Sequence, residues 1–491
     1  MIEDGAVAIE DDSIVAVGSY AELRSRFSAY SEIGSDQHVV IPGLINSHHH
    51  GWGLSTFQLG ARDDYLEPWL IDLMSLRPVD PYLDALSSCM KLIRSGVTCV
   101  QHAGAPRDPD ALEDETKAAL RAYEDCGLRV AYGIPIQDRN TYAYVDDEEF
   151  LSALPRPVAE RLRQAADASG MPSVERFLAL VDELREVYAG HPRIRLLLGP
   201  QTPEWCTDKL LELLRQKATE SNMGIHMHVL ESPHQREYCL REYGRPALEH
   251  LDQLGFLGPD LSIAHGVWLT RAEMELCADR GVSVCHNPSS NLRLRVGVLP
   301  LASMLESGVN VALGMDSTTI NDDEDMLQEM RLAAKLHGLP RGLSHAWGPT
   351  PRDVFQLATV NGARALGLAD EIGVLEAHRR ADAVLVNYEA LAGPYVDPTL
   401  DLLDVIVQRG RADHVDTVVI GGEIVLADGR FTALDEDEIT ERLADSAQAS
   451  PSERSRAWMG ALREARPYVE RFYQGWPESR YEPSYRINSP T

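Results

Sequence analysis

The sequence is short of lysine, of paired cysteines and of long apolar runs, and each shortage closes off a class of protein. Only five lysines (Lys91, Lys117, Lys209, Lys217 and Lys335) occur in 491 residues, and 46 basic side chains face 76 acidic ones, for a net charge of −30. A surface of that sign repels the phosphates of nucleic acids and of anionic bilayers, so neither is expected as a partner. No stretch approaches the roughly 20 apolar residues that cross a membrane. The opening Met1-Ile2-Glu3-Asp4-Gly5 lacks the basic and apolar regions of a secretion signal. The seven cysteines are odd in number, dispersed and free of any C-x-x-C pair. They read as reduced thiols, which excludes a disulfide framework or a zinc ribbon and leads us to expect a cytoplasmic protein.

What is present is enough for a large core: 44% of residues are hydrophobic and 25% charged, as in soluble globular proteins. The length suits one large domain plus a smaller one. Between residues 41 and 371 short apolar runs alternate with amphipathic helical segments. The runs lie at 44–50, 96–100, 128–132, 194–198, 224–229, 261–265, 282–286 and 309–313. Eight strand–helix units of this kind predict a parallel (β/α)₈ TIM barrel. The short strand-like runs at 6–9 and 13–17 cannot fold alone and need a partner sheet. Further β runs at 383–386, 404–407 and 415–422 supply one. We therefore expect a small composite β-sandwich from residues 1–40 and 372–430, flanking the α/β barrel. Residues 431–491 are expected to form a C-terminal helical arm, with a helix over roughly 436–466.

Chemistry-bearing residues recur at the strand ends, where a barrel of this type places its active site. Residues two apart on a strand share a face, so His48 and His50 point one way and His49 the other. The fifth run ends at His228 with Glu231 three residues on, the sixth at His265, the seventh at His286-Asn287 and the eighth at Asp316. A single such histidine is commonly a satisfied core residue; four successive runs ending in His or Asp, added to the His48/His50 pair, read as a metal site. His48, His50, His228 and Asp316 would supply three nitrogens and one oxygen, with a position left for water. Such water ionises near neutral pH and becomes a nucleophile. Glu231 is placed to take and deliver its proton, and His265 to stabilise developing charge.

With these residues in view the chain resembles the amidohydrolase superfamily, in the branch of triazine hydrolases and nucleobase or nucleoside deaminases. The matching motifs are Pro42-Gly43-Leu44-Ile45-Asn46-Ser47-His48-His49-His50, His226-Met227-His228-Val229-Leu230-Glu231 and Ala264-His265-Gly266. His286-Asn287-Pro288-Ser289-Ser290-Asn291, Leu313-Gly314-Met315-Asp316, Glu329-Met330-Arg331 and Arg380-Ala381-Asp382-Ala383 continue the match along nearly the whole chain. The resemblance implies one divalent metal per chain on His48, His50, His228 and Asp316, zinc first and iron as the alternative. Glu231, His265 and Asp316 are then the catalytic groups. Binuclear relatives use a carbamylated lysine on a mid-barrel strand, and none of the five lysines lies on a strand run.

The departures bear on substrate. Many nucleoside deaminases of this branch carry Gly-Pro-His where this chain has Gly199-Pro200-Gln201, so Gln201 is a candidate substrate contact, its amide able to donate and accept. The usual Arg-Gly after the first histidines is here Leu59-Gly60, which removes a candidate cation. Trp69 matches a tryptophan that flanks the pocket and could stack on a ring, and His102 ends the second run. The expected activity is hydrolytic deamination of a small amino-substituted N-heterocycle of the purine, pyrimidine or triazine type. The alternatives are a chloride or alkylamine leaving group on the same ring, a cyclic-amide hydrolase, or a catalytically silent metal-binding scaffold. The expected partners are the heterocyclic substrate and further copies of the chain in a homo-oligomer.

Overall fold

The computed structural model describes residues 2–27, 31–107, 111–167, 173–338 and 348–476. A hairpin of β1 (Gly5–Glu10) and β2 (Ser13–Ser19) opens the chain, and β3 (His38–Pro42) follows. The barrel strands come next: β4 (Leu44–His49), β5 (Val97–Ala103), β6 (Arg129–Ile136) and β7 (Ile194–Pro200), then β8 (Gly224–Val229), β9 (Leu261–His265), β10 (Ser283–His286) and β11 (Asn310–Leu313). They pair in parallel in the order β4 to β11, each against its sequence neighbour. The eight expected runs are thus eight strands. Every residue of β4, β5 and β6 is buried, as a parallel sheet covered on both faces requires.

The two edges of the sheet meet without a regular ladder. Backbone N–H groups of Met315 and Asp316 donate to the His48 carbonyl (3.2 and 2.9 Å), and Met315 also donates to Asn46 Oδ1 (3.1 Å). That approach is possible because Gly314 has no side chain: a Cβ there would collide with Asn287 and His48. Closure therefore sets Asp316 directly against His48. At the opposite end the barrel interior is filled by small and medium side chains, Ile45, Cys99, Ala131 and Leu197, capped by Leu366, Leu368 and Ile372. The bottom is a packed core, and the top is left for function.

A second sheet sits beside the barrel. It runs β15 (Arg430–Phe431), β14 (Glu423–Ala427), β13 (Val415–Ile420), β12 (Ala383–Asn387), β3, all antiparallel. The chain passes from β3 to β4 across one residue, Gly43, where any Cβ would strike the Thr98 side chain. The β1–β2 hairpin stays outside this sheet and touches the 378–381 segment through Ile14 N–H to the Arg379 carbonyl (2.8 Å).

One expected strand is a helix. Residues 404–407 lie in the helix Leu402–Arg409, because Asp401 caps it by accepting from Leu403 N–H and the apolar positions recur at helical spacing. The arm is also two helices, Glu436–Gln448 and Glu453–Phe472, where one was expected. No helix among the described residues is long and apolar enough to cross a membrane.

Candidate active site

Four ring nitrogens and a carboxylate converge above the barrel core. Nε2 of His48 lies 3.0 Å from Asp316 Oδ1 and Nε2 of His50 lies 3.1 Å from the same oxygen. His228 stacks on His50 at 5.3 Å and on His265 at 5.6 Å. The ligand atoms of His48, His228, His265 and Asp316 all fall within 4.8 Å of one another, the one such cluster among the described residues. His49 points the other way, Nε2 2.8 Å from Glu324, as strand alternation demands.

Each ring is turned by a partner on its far nitrogen. His50 Nδ1 donates to the Ala103 carbonyl (2.8 Å), His228 Nδ1 to the Gln201 carbonyl (3.0 Å), and His265 Nδ1 to Asn291 Oδ1 (3.0 Å). His48 uses a longer chain. His226 Nδ1 faces the Ser262 carbonyl (3.2 Å) and hydroxyl (2.8 Å), so it carries the proton and His226 Nε2 accepts from His48 Nδ1 (2.8 Å). All four Nε2 atoms are left as lone pairs, and that of His48 is buried without a hydrogen-bond partner. Neutral imidazoles with anchored Nδ1–H groups are what a Zn²⁺-type ion requires. Burial holds His48, His228 and His265 below the ordinary histidine range, and pushes His226 down to about 3, so the set stays neutral.

His226 thus supports a ligand without being one. Replacing it with leucine should weaken zinc binding by about 10- to 100-fold, read as the free-zinc concentration at half occupancy, while His226→Asn, which keeps a polar group, should lose less. Equal losses would assign His226 to packing alone.

Asp316 is fixed from behind as well. Its Oδ2 accepts from Ser290 Oγ, and the neighbouring Ser289 donates its N–H (2.8 Å) and hydroxyl to Glu329, whose carboxyl is pushed up to about 8 by burial. Backbone strain gathers at the same positions: Leu230, His265, Asp316 and Ser317 have φ of 51°, 70°, 57° and 49°. Non-glycine residues in that region cost about 1–3 kcal/mol each and persist where function needs a side chain aimed off its strand.

Glu231 stands beside this cluster, Oε1 3.6 Å from His265 Nδ1. Its N–H donates to Gln235 Oε1 (2.6 Å), and the next residue, Ser232, donates its hydroxyl to buried Glu67. The second Glu67 oxygen lies 2.9 Å from His234 Nδ1, and His234 Nε2 donates to the Trp476 carbonyl (3.0 Å). A buried thread therefore joins the Glu231 loop to the C-terminal arm. Burial pushes the Glu231 carboxyl well above its ordinary range, with the charges of Asp316 and Glu67 adding to it.

Above the cluster opens a cavity of about 370 Å³ whose floor includes His50, His228, Glu231, His265 and Asp316. Trp69 lines it, buried with its Nε1 unpartnered, as does Gln201, whose Nε2 donates to the Gly104 carbonyl (2.8 Å). His102 does not reach this cavity. It packs against Tyr132 and bonds Tyr123 Oη (2.9 Å), facing a smaller void shared with Trp52 and Arg107. His286, ending β10, bonds His337 (2.9 Å) and is outside the cavity wall. Sequence reasoning missed Arg107, which lies in the loop after β5, and Trp458, which the arm contributes to the wall. Trp458 carried a signal, one of several aromatics in an otherwise polar terminal segment; Arg107 carried none.

Comparison with known proteins matches the chain to two family models, the Amidohydrolase family over residues 39–425 and an Imidazolonepropionase-like composite domain (bacteria) over 5–27. The 5'-deoxyadenosine deaminase of Methanosarcina mazei is 32% identical over 455 residues, covering 91% of this chain and 94% of that one. The 5-methylthioadenosine/S-adenosylhomocysteine deaminase of Syntrophobacter fumaroxidans is 32% identical over 451 residues, covering 90% and 92%. Among solved structures, an adenosine deaminase from Xanthomonas campestris with bound zinc superposes with a TM-score of 0.75 at 26% identity, covering 94% of each chain.

Proposed function

The chain belongs to the amidohydrolase family, and on that premise we propose that it is a zinc-dependent hydrolytic deaminase of a 6-aminopurine nucleoside. Relatives at this level of identity carry names of deaminases acting on 5'-deoxyadenosine and on 5-methylthioadenosine/S-adenosylhomocysteine, which supports a purine over a pyrimidine or triazine. The observation that carries the reading is Glu231, buried beside the cluster at the cavity floor. Holding a metal does not need this carboxylate, whereas moving a proton between water and an amino leaving group does.

In this reading His48, His50, His228 and Asp316 hold the ion. His265 also lies within ligand reach, but its Nε2 is 3.8 Å from Asp316 Oδ2 and its Nδ1 faces Glu231, which suits a group acting on the reacting centre. A bound divalent ion acidifies water and polarises the atom it faces. Glu231 takes the proton from the attacking water and delivers it to the departing nitrogen. His265, its Nδ1–H held by Asn291 and its Nε2 left as a lone pair, accepts from the attacking water and orients it toward the ring carbon. Trp69 offers a face for the ring, and Gln201, its amide nitrogen partly committed to Gly104, keeps its oxygen for an N–H of the exocyclic amino group.

The test is ammonia release from zinc-loaded protein across aminopurine, aminopyrimidine and aminotriazine panels, each as base and as nucleoside, with Glu231→Gln as blank. Release from an adenosine-type nucleoside that is lost in the blank supports the proposal. Release confined to a triazine, or of chloride or alkylamine in place of ammonia, sinks it.

A further inference from the structure

The three adjacent histidines at the end of β4 divide their work. His48 and His50 face the metal cluster, whereas His49 turns away from it and is fully buried. Its Nδ1 accepts from the Gly51 N–H (2.9 Å), so the ring proton sits on Nε2 and is donated to Glu324 Oε2 (2.8 Å). Gly51 is itself fixed: its φ is +72°, and a Cβ there would meet the His102 ring at 2.4 Å. Glu324 is 2% exposed, and a carboxyl buried that deeply needs a donor against it.

Glu324 closes a loop that opens at Asp316. The sheet has no ladder between β11 and β4, so the seam there depends on separate bonds, and three consecutive residues supply them. The His48 carbonyl takes the N–H groups of Met315 and Asp316, the His50 N–H donates to Ser317 Oγ (3.0 Å), and His49 takes the far end of the loop at Glu324. The loop is strained at both ends: Asp316, Ser317, Asp322 and Glu324 have φ of 57°, 49°, 62° and 55°. Backbone of that kind relaxes unless its surroundings over-determine it. Ser55 and Arg293 hold the middle, through Asp322 Oδ2 (2.9 Å) and the Thr319 carbonyl (2.6 Å), but both bonds lead to other loops. Glu324 returns the chain to the strand that ends in two ligands, one residue before Asp325 caps the helix Met326–Leu336.

We propose that His49 and Glu324 are positioning residues for the metal site: their hydrogen bond ties the strained loop 316–324 to the strand end bearing His48 and His50, and so sets the Asp316 carboxylate against those two rings. This rests on the metal-site part of the reading above and is independent of the choice of substrate. Neither residue lies in the cavity wall, so both act through Asp316. The outward-facing histidine of the triplet thereby serves the same ion as its two neighbours.

The experiment strips the full chain of metal, titrates it with zinc, and separately saturates it with cobalt(II), whose visible absorption bands report ligand number and geometry. Glu324→Ala and His49→Phe should each raise the free-zinc concentration at half occupancy by about 10- to 100-fold and change the cobalt spectrum. The double variant should be no worse than either single one, because each removes the same bond. Glu324→Gln keeps an oxygen for the His49 Nε2–H and should restore the wild-type affinity and spectrum. Glu324→Asp, one methylene shorter, should fall between; it carries the test if the alanine variant fails to fold. A saturated cobalt spectrum unchanged in both Glu324→Ala and Glu324→Asp overturns the inference, as does a loss in Glu324→Gln equal to that in Glu324→Ala. A wild type that binds neither zinc nor cobalt removes the metal-site reading itself, an outcome distinct from wild type and variants binding alike.

Discussion

Replacing Glu231 with glutamine is expected to leave zinc content at that of the wild type and to cut ammonia release by about 10²- to 10⁴-fold, the usual contribution of a positioned general acid–base group. Glutamine preserves the shape of a side chain that is 5% exposed, so folding and the hydrogen bond from the Glu231 N–H to Gln235 survive. What is lost is the ability to carry a proton. The wild-type pH profile should bear the mark of the same group. Burial raises the Glu231 carboxyl above its usual range, the reaction needs it ionised to accept a proton from water, and activity therefore falls as pH drops through that raised value. The acid limb of kcat/KM should vanish from the residual activity of Glu231→Gln. A residual rate that keeps the same acid limb would take Glu231 out of the mechanism.

Removing the metal should have the other large effect. Chelation of the wild type should abolish turnover and lower the thermal midpoint, and zinc should restore both; a site filled at a hundred times its dissociation constant stabilises by about 2.7 kcal/mol. His228→Ala should mimic chelation. It deletes a lone pair whose far nitrogen is already spent on the Gln201 carbonyl, so no rotation of a neighbour replaces it, and the loss should exceed that of His226→Leu. The stoichiometry should be one ion per chain. Among the described residues one cluster can hold a metal, and the five lysines lie on helices, away from the barrel strands. Two ions per chain by elemental analysis, or full activity after exhaustive chelation, would reject this site.

The barrel was legible because parallel strands must be apolar on both faces, so β5 and β6 stand out from the polar helices around them. The chemical residues were legible because they interrupt those runs at their ends. Period-two alternation alone separates His49 from His48 and His50, and the chain obeys it. Residues 404–407 misled because a short apolar run has no period of its own; the cap at Asp401 decides for a helix. The supporting hydrogen bonds were invisible for a different reason. His226 to His48 spans 178 positions and Ser232 to Glu67 spans 165, and no local pattern announces a pair that only barrel closure brings together. Arg107 belongs with these: its place in the cavity wall is a property of packing.

The thread from Glu231 through Ser232, Glu67 and His234 ends on the Trp476 carbonyl, past the helix Glu453–Phe472. In chain order every barrel strand precedes that helix by at least 140 residues, from Leu313 at the end of β11 to Glu453. A ribosome therefore finishes the metal cluster long before it releases the segment that steadies the proton carrier and, through Trp458, walls the cavity. Competence arrives last. Removing the segment that carries Trp458 and Trp476 is therefore expected to lower turnover more than metal content, although every metal ligand lies far earlier in the chain.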